Sequence, residues 1–363
     1  MKKILFAIGY SAQIGGGQKV FIATIKELSK MDCQITVMLP DNTLVSFLKL
    51  LNVNIHVVDF RSPKSLVAIH KILKENDFDV INTYLPKVSL LVSLVNLFYR
   101  KPICCTLLNA ILHEKLNRFQ KSIYPFLYFI LSRMCDGFIV NSKQNKKHFI
   151  DVARINSNSI KVIYSGIDVN EFYGFQNEKL RNPKFVLGAV GRLSPEKGHI
   201  YLLRALADIS NIDYKCLIVG DGPSRDELES YARKANLDKR VEFLGFQANV
   251  ACAMSQMDAV IMPSLNETFG ITIVEAFAMK KVVIASDAGG IPELVINEKT
   301  GLLFPAKDCA VLARKILYVY NNKEEAQAMA IRGYEYFKNN FTSAAMAENT
   351  IKYYDSLIKI RSH

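Results

Sequence analysis

Two glutamates eight positions apart, Glu267 and Glu275, bracket the stretch Phe269-Gly270-Ile271-Thr272. Upstream of them an arginine and a lysine stand five apart in Gly191-Arg192-Leu193-Ser194-Pro195-Glu196-Lys197-Gly198. A guanidinium fork and an ammonium point charge suit a diphosphate, above all one whose negative charge grows as it departs. A carboxylate accepts from vicinal hydroxyls, so one glutamate fits a sugar ring and the other a ribose. Between them, Thr268 is expected to cap a helix beginning near Phe269 and Gly270, which aims N–H groups and a positive helix end at an anion. Spacing alone is weak, because 17 glutamates in this chain produce roughly 0.8 such pairs by chance, the hazard of any short motif. The weight lies in a pair that brackets a strand-helix junction downstream of a basic loop.

Two further loops share this character. Gly15-Gly16-Gly17 stands between an apolar run and a helical pattern, where the backbone approaches a ligand closely and a helix start offers N–H groups. It lacks the Gly-x-Gly-x-x-Gly spacing of a dinucleotide site, and a tight strand-to-helix turn explains it equally well. Asp287-Ala288-Gly289-Gly290-Ile291-Pro292-Glu293 again sets glycines before a proline-started helix. Asp77-Phe78-Asp79 has the spacing of metal-dependent transferases, but its expected place, ahead of a strand at the edge of a sheet, argues against a metal.

Such loops need a scaffold that presents them on one side. The first half alternates β-branched runs at 3–9, 33–39, 53–58, 79–83, 103–108, 137–140 and 160–163 with helical patterns at about 17–30, 42–51, 64–75, 86–100, 118–134 and 142–150. The second half repeats the scheme. Its strands fall at 185–190, 214–219, 241–244, 259–262, 282–285 and 301–304, and its helices near 198–209, 223–236, 249–256, 270–280, 308–322, 325–338 and 342–361. Strands separated by helices of this length imply parallel sheets covered on both faces. The polar stretch 164–183 reads as a linker. The expected class is α/β, with two doubly wound domains whose strand C-terminal ends, and hence any ligand, surround a shared cleft.

Composition excludes several classes. A chain of 363 residues reads as about two domains, and 50% hydrophobic with 22% charged residues rules out global disorder. The richest apolar run, 88–99, is too short to cross a bilayer, which takes about 20 residues. Seven scattered cysteines without a Cys-x-x-Cys fit reduced thiols rather than a disulfide framework or a zinc site. Met1-Lys2-Lys3 and the apolar run after it imitate a secretory signal, but the glycine turn that follows at once marks a buried first strand in a cytoplasmic protein. The net charge of +12 lies entirely in residues 1–165, with 22 Lys and Arg against 10 Asp and Glu, while the remainder carries 24 of each. Such a field favours nucleic acid, an anionic lipid surface or a phosphorylated substrate. The aromatic and basic segment 117–135, followed by Lys143, Lys146 and Lys147, is either a buried helix with a solvated edge or an interfacial helix for anionic lipid.

Taken in order, Gly191-Arg192…Lys197-Gly198, Glu267-x-Phe269-Gly270-Ile271…Glu275-Ala276 and Gly289-Gly290-Ile291-Pro292-Glu293 resemble glycosyltransferase family 4, the retaining nucleotide-sugar transferases of the GT-B fold. Val162-Ile163-Tyr164-Ser165-Gly166-Ile167-Asp168…Phe172 is similar to that family's interdomain signature, so the resemblance spans nearly the whole chain. It implies two Rossmann-like domains: an acceptor-binding one, 1–170, joined by the last helix at about 342–363, and a donor-binding one, 171–341. It implies that Arg192 and Lys197, with the N–H groups of Gly16 and Gly17, hold the donor diphosphate, and that Glu275 binds the ribose. Glu267 and the backbone of Phe269, Gly270, Ile271 and Thr272 would hold the transferred sugar and distal phosphate, and the stretch 243–246, with Phe246, would flank the base. The implied reaction is front-face departure through an oxocarbenium-like state, with no metal, no other cofactor and no carboxylate nucleophile.

One departure stands out. Many members carry a histidine at the end of the strand matching 103–108, whereas this chain reads Thr106-Leu107-Leu108-Asn109, with His113 the nearest histidine. Asn109 is the candidate to bond a sugar hydroxyl in its place. The expected function is transfer of a hexose-type sugar, from a UDP-sugar first among the candidates, to a glycan or lipid-linked acceptor in cell-surface polysaccharide or lipopolysaccharide synthesis. The expected setting is the cytoplasm, with a peripheral place at the inner membrane face and no nucleic-acid partner. A nucleotide-sugar epimerase of the same architecture, or a non-catalytic sugar-nucleotide or anion-binding module, stays open.

Overall fold

The computed structural model describes residues 1–9, 15–108, 118–175, 184–209 and 211–362. In chain order its strands and α-helices are β1 (Lys2–Ile8), α1 (Gly16–Leu28), β2 (Cys33–Leu39), α2 (Val45–Leu48), β3 (Val53–Val57), α3 (Ser65–Glu75), β4 (Val80–Tyr84), α4 (Pro86–Asn96), β5 (Ile103–Leu107), α5 (Arg118–Met134), β6 (Gly137–Val140), α6 (Lys143–Ala153) and β7 (Ile160–Val162). They continue as β8 (Phe185–Val190), α7 (His199–Ala207), β9 (Tyr214–Val219), α8 (Arg225–Lys234), β10 (Val241–Gly245), α9 (Val250–Ser255), β11 (Ala259–Met262), α10 (Ile271–Ala278), β12 (Val282–Ser286), α11 (Ile291–Leu294), β13 (Leu302–Phe304), α12 (Cys309–Asn321), α13 (Lys323–Asn340) and α14 (Ser343–Ser362). Two compact units result: Met1–Gly166 with Ser343–His363, and Ile167–Thr342.

The first unit is built on a seven-stranded parallel sheet, ordered β3-β2-β1-β4-β5-β6-β7. The chain enters at a central strand, and the direction of growth reverses between β1 and β4. β4 is therefore an inner strand, not the edge strand expected after Asp77-Phe78-Asp79. The two aspartates sit where strands begin, away from the C-terminal edge. Asp79 accepts the Lys3 N–H at 2.7 Å and Asp77 pairs with Lys101, so both carboxylates are spent on holding strand entries. Among the described residues no group of three or more His, Cys, Asp or Glu is placed to hold a metal. Buried side chains such as Leu5, Ile81, Ile103, Cys105 and Phe138 form the core.

The last helix is integral to this unit. Its Tyr354 is fully buried and bonds the Asn82 side chain of β4, which in turn accepts from Thr106 Oγ1 at 2.9 Å. Tyr353 Oη takes the Phe138 N–H at 3.2 Å and donates to the Ser159 carbonyl at 2.9 Å, while Ser343 Oγ donates to Glu27 of α1 at 2.9 Å. Buried polar groups left unpaired cost about 1–3 kcal/mol each, so this ladder fixes where α14 lies along the sheet.

The second unit is a six-stranded parallel sheet, β10-β9-β8-β11-β12-β13, again entered in the middle and reversed, here between β8 and β11. α10 buries all of Thr272, Ile273, Val274, Glu275, Ala276, Phe277 and Ala278, the signature of a helix enclosed on every side. The expected linker begins as packed structure instead. Ile167 bridges to Thr342, the Asp168 carboxylate caps a short 3₁₀ turn by accepting the Asn170 N–H at 2.9 Å, and Phe172 is buried. The helix expected at 42–51 shrinks to the single turn α2.

Candidate functional site

In a doubly wound sheet the loops on either side of the reversal leave in opposite directions and open a crevice at the strand C-terminal ends. In the second unit these are the loops after β8 and β11, and they carry the basic and acidic residues singled out above. Gly198, at φ +66°, ends the 3₁₀ turn Pro195–Lys197. A Cβ there would lie 2.0 Å from the Pro263 carbonyl oxygen, so glycine is what lets the two loops touch. The Leu265 N–H donates to the Glu196 carbonyl at 2.8 Å and closes the same junction. The loop after β12 joins from the other side. Gly289, at φ +57°, lies so close that a Cβ would be 2.0 Å from the Glu267 carbonyl oxygen, and the Gly290 N–H donates to that oxygen at 2.8 Å. Ser286 Oγ adds a bond to the Ser264 carbonyl at 2.5 Å. Three strand-end loops are thus fastened to one another through backbone.

On this frame Lys197 Nζ and Glu267 Oε2 form a direct ion pair, with side chains 27% and 13% exposed. Arg192 is exposed, and its guanidinium makes neither an ion pair nor a hydrogen bond among the described residues. Glu275 is buried in the second turn of α10. Phe269 is 3% exposed, with its ring edge-on to Phe341 at 6.0 Å, so its side chain props the loop from within. Thr268 does not cap α10 as expected. Gly270 holds the N-cap at φ +108° with no side-chain bond, which leaves the first-turn N–H groups, those of Ile271 and Thr272 included, to a ligand. The Thr272 hydroxyl ties α10 to the end of β8 by donating to the Val190 carbonyl at 3.3 Å. Phe246 lies just past the edge strand β10 and is 67% exposed, available to stack on a flat ring.

Gly16 and Gly17 belong to the first unit, in the first turn of α1, whose N-cap Gly15 N–H is taken by the Gln18 side chain at 3.0 Å. Gly17 lines a small cavity with Tyr84, Leu85, Thr106 and Leu108 at the ends of β1, β4 and β5. Leu85 adopts φ +73° there, a strained conformation for a leucine, at that sheet's own reversal point. Asn109 and His113 lie outside the described residues.

Two polar side chains under the basic loop were passed over in the sequence. Ser194 and His199 are 2% and 4% exposed, and Ser194 Oγ and His199 Nδ1 have no hydrogen-bond partner among the described residues. The signal was positional: His199 precedes Leu202 and Leu203 by three and four residues, on the buried face of α7. Burial first, and the Lys197 charge second, push the His199 imidazole down to about 4, so it is neutral at pH 7. Unfolded histidine titrates near 6.5, so the unfolded chain takes the proton first and stability falls as pH drops from 7 towards 4. The expected loss is about 3 kcal/mol, at about 1.4 kcal/mol per pKa unit. Urea melts across this range should show His199→Gln lacking that slope; the same slope in both proteins would remove His199 as its source.

Comparison with known proteins gives a consistent result. The family model for "Glycosyl transferases group 1" matches residues 173–336, and that for "Glycosyltransferase Family 4" matches residues 14–171. The chain is 27% identical over 313 residues to the UDP-Gal:alpha-D-GlcNAc-diphosphoundecaprenol alpha-1,3-galactosyltransferase of Escherichia coli, covering 82% of this chain and 80% of that protein. It is 25% identical over 353 residues to the capsular polysaccharide biosynthesis glycosyltransferase CapM of Staphylococcus aureus, covering 92% and 88%. Among solved structures, Anabaena HepE in complex with UDP superposes with a TM-score of 0.85 at 25% identity, covering 98% of this chain and 100% of that one. HepE in complex with UDP-glucose gives 0.84 at the same identity and coverage.

Proposed function

Since the chain belongs to glycosyltransferase family 4 and has the GT-B fold, we propose that it moves a hexose-type sugar from a UDP-sugar to a lipid-linked or glycan acceptor in cell-surface polysaccharide synthesis. Transfer proceeds with retention and without a metal. The observation that supports this most is the constellation at the switch point of the second unit: a guanidinium without a partner among the described residues, an ammonium against a carboxylate, and a helix start without a side-chain cap on loops locked by glycines. The E. coli relative is named for a UDP-sugar donor and a diphosphoundecaprenol acceptor, and HepE was solved with UDP-glucose.

In this assignment Arg192, Lys197 and the first-turn N–H groups of α10 bind the diphosphate, Glu275 the ribose, Phe246 the base and Glu267 the transferred sugar. The bond between the anomeric carbon and the distal phosphate oxygen breaks, and charge accumulates on the departing diphosphate where the cations and helix end stabilise it. An acceptor hydroxyl enters from the same face, and its proton passes to the departing oxygen. Asn109 is assigned to a sugar hydroxyl.

The acceptor is assigned to the first unit, which carries 25 Lys and Arg against 12 Asp and Glu. Its α5 buries Tyr128 and Leu131 but exposes Ile123, Phe126 and Phe129, three residues apart, with Arg133 stacked 5.4 Å over Phe129. α4, packed beside it, exposes Leu94, and Leu97 and Phe98 just past its end are exposed too. No helix among the described residues is long and apolar enough to cross a membrane. Apolar edge and positive field together suit docking on an anionic lipid surface. Phe98→Ser with Phe126→Ser should abolish co-sedimentation with phosphatidylglycerol vesicles; equal binding to neutral vesicles would discard the assignment.

A thermal-shift panel of UDP-, GDP- and ADP-sugars tests the donor, because a ligand of the native state raises its melting temperature. A UDP-sugar should stabilise, and adding a diphosphoundecaprenol-linked glycan should release UDP, with or without EDTA. Isomerised donor in the absence of acceptor would make the protein an epimerase, and donor binding without turnover on any acceptor would make it a binding module.

A further inference from the structure

Lys197 and Glu267 are each other's sole partner among the described residues: no other ion pair or hydrogen bond reaches the ammonium or the carboxylate. The pair sits where the functional assignment above, on which this inference rests, puts the donor diphosphate. Backbone bonds hold both loops in place, through Leu265 to Glu196 and Gly290 to Glu267, so a ligand has to compete with side chains and not with loops. We propose that Glu267 competes with the diphosphate for Lys197, and that this makes the site favour intact donor over nucleoside diphosphate product.

The charges explain why. With Lys197 engaged by Glu267, Arg192 is the one free cation of the assigned set. A diphosphate that draws Lys197 to itself leaves the Glu267 carboxylate, largely shielded from water, without a donor and next to a second anion. An intact sugar donor supplies hydroxyl groups that satisfy that carboxylate. UDP supplies none and adds a further ionisable phosphate oxygen. Glu267 therefore works against product and with substrate, and once the sugar has left, the returning ion pair helps expel UDP. The specificity comes from an unpaired charge built against the wrong ligand.

Calorimetric titration of UDP and of UDP-glucose into the full chain tests this. Glu267→Gln, which keeps the shape and removes the charge, should bind UDP about tenfold tighter, the scale of one charge-assisted hydrogen bond recovered. Its affinity for UDP-glucose should not rise with it. Glu267→Ala should tighten UDP as well, which guards against a peculiarity of the glutamine. Lys197→Met should bind UDP weakly, and adding Glu267→Gln to it should bring a smaller gain than the same change in the wild type, because the competition for the ammonium is gone and only the repulsion between the two anions is relieved. Unchanged or weaker UDP binding in both Glu267 variants would overturn the proposal, because the carboxylate would then be propping Lys197 towards the phosphates. Wild-type protein that binds none of UDP, GDP or ADP would instead overturn the transferase assignment itself.

Discussion

Gly198→Ala and Gly289→Ala should each lower stability by about 3 kcal/mol and cost the protein its nucleotide binding. Both residues have positive φ, +66° and +57°, where a side chain is strained in any surroundings. In both, the new methyl would meet a backbone carbonyl oxygen at 2.0 Å, that of Pro263 or of Glu267. Neither obstacle is a flexible side-chain tip, so the loop must move. The loop that moves carries Lys197 or Glu267. Gly174→Ala, with nothing among the described residues within 4 Å of the added carbon, is the control for the steric clash and should be neutral. Urea denaturation reads the first effect and UDP titration the second. Wild-type midpoints with intact UDP affinity in both variants would mean the loops are not clasped as described.

Arg192→Ala and Glu275→Ala should each weaken UDP binding by about 1–3 kcal/mol, or roughly 5- to 150-fold, the range for a lost hydrogen bond to a charged group. Their stabilities should separate. Arg192 is exposed and its side chain makes no internal bond among the described residues, so its loss leaves the melting temperature unchanged. Glu275 is 3% exposed in a helix buried from Thr272 to Ala278, so its truncation opens space there and lowers stability too. Undiminished UDP affinity in a folded Arg192→Ala protein would remove that residue from the diphosphate site.

Much of the fold was legible because a parallel sheet covered on both faces demands near-continuous apolar strands, and runs such as Phe185–Val190 and Val282–Ser286 have no other use. Strand order was not, since neighbours are chosen by packing across long separations. That is why β4 was misplaced at an edge when it pairs with both β1 and β5. Thr268 has the right chemistry for a cap, but the glycine two residues later reaches the left-handed N-cap geometry that the close approach of loops requires. The residue types of the candidate site were readable from motifs. Their pairing was not: Lys197 and Glu267 are 70 residues apart and meet because of where β8 and β11 end. The tight packing at Gly198 and Gly289 is likewise a fact of tertiary contact that no local preference encodes.

Hydrogen–deuterium exchange with and without UDP addresses the proposed diphosphate site most directly. The strongest protection should fall on the amides of 191–198 and of Ile271, Thr272 and Ile273, while α12 and α13, which carry none of the assigned residues, stay unchanged. Protection centred on α12 and α13, with the strand-end loops exchanging as before, would place the nucleotide elsewhere and contradict it.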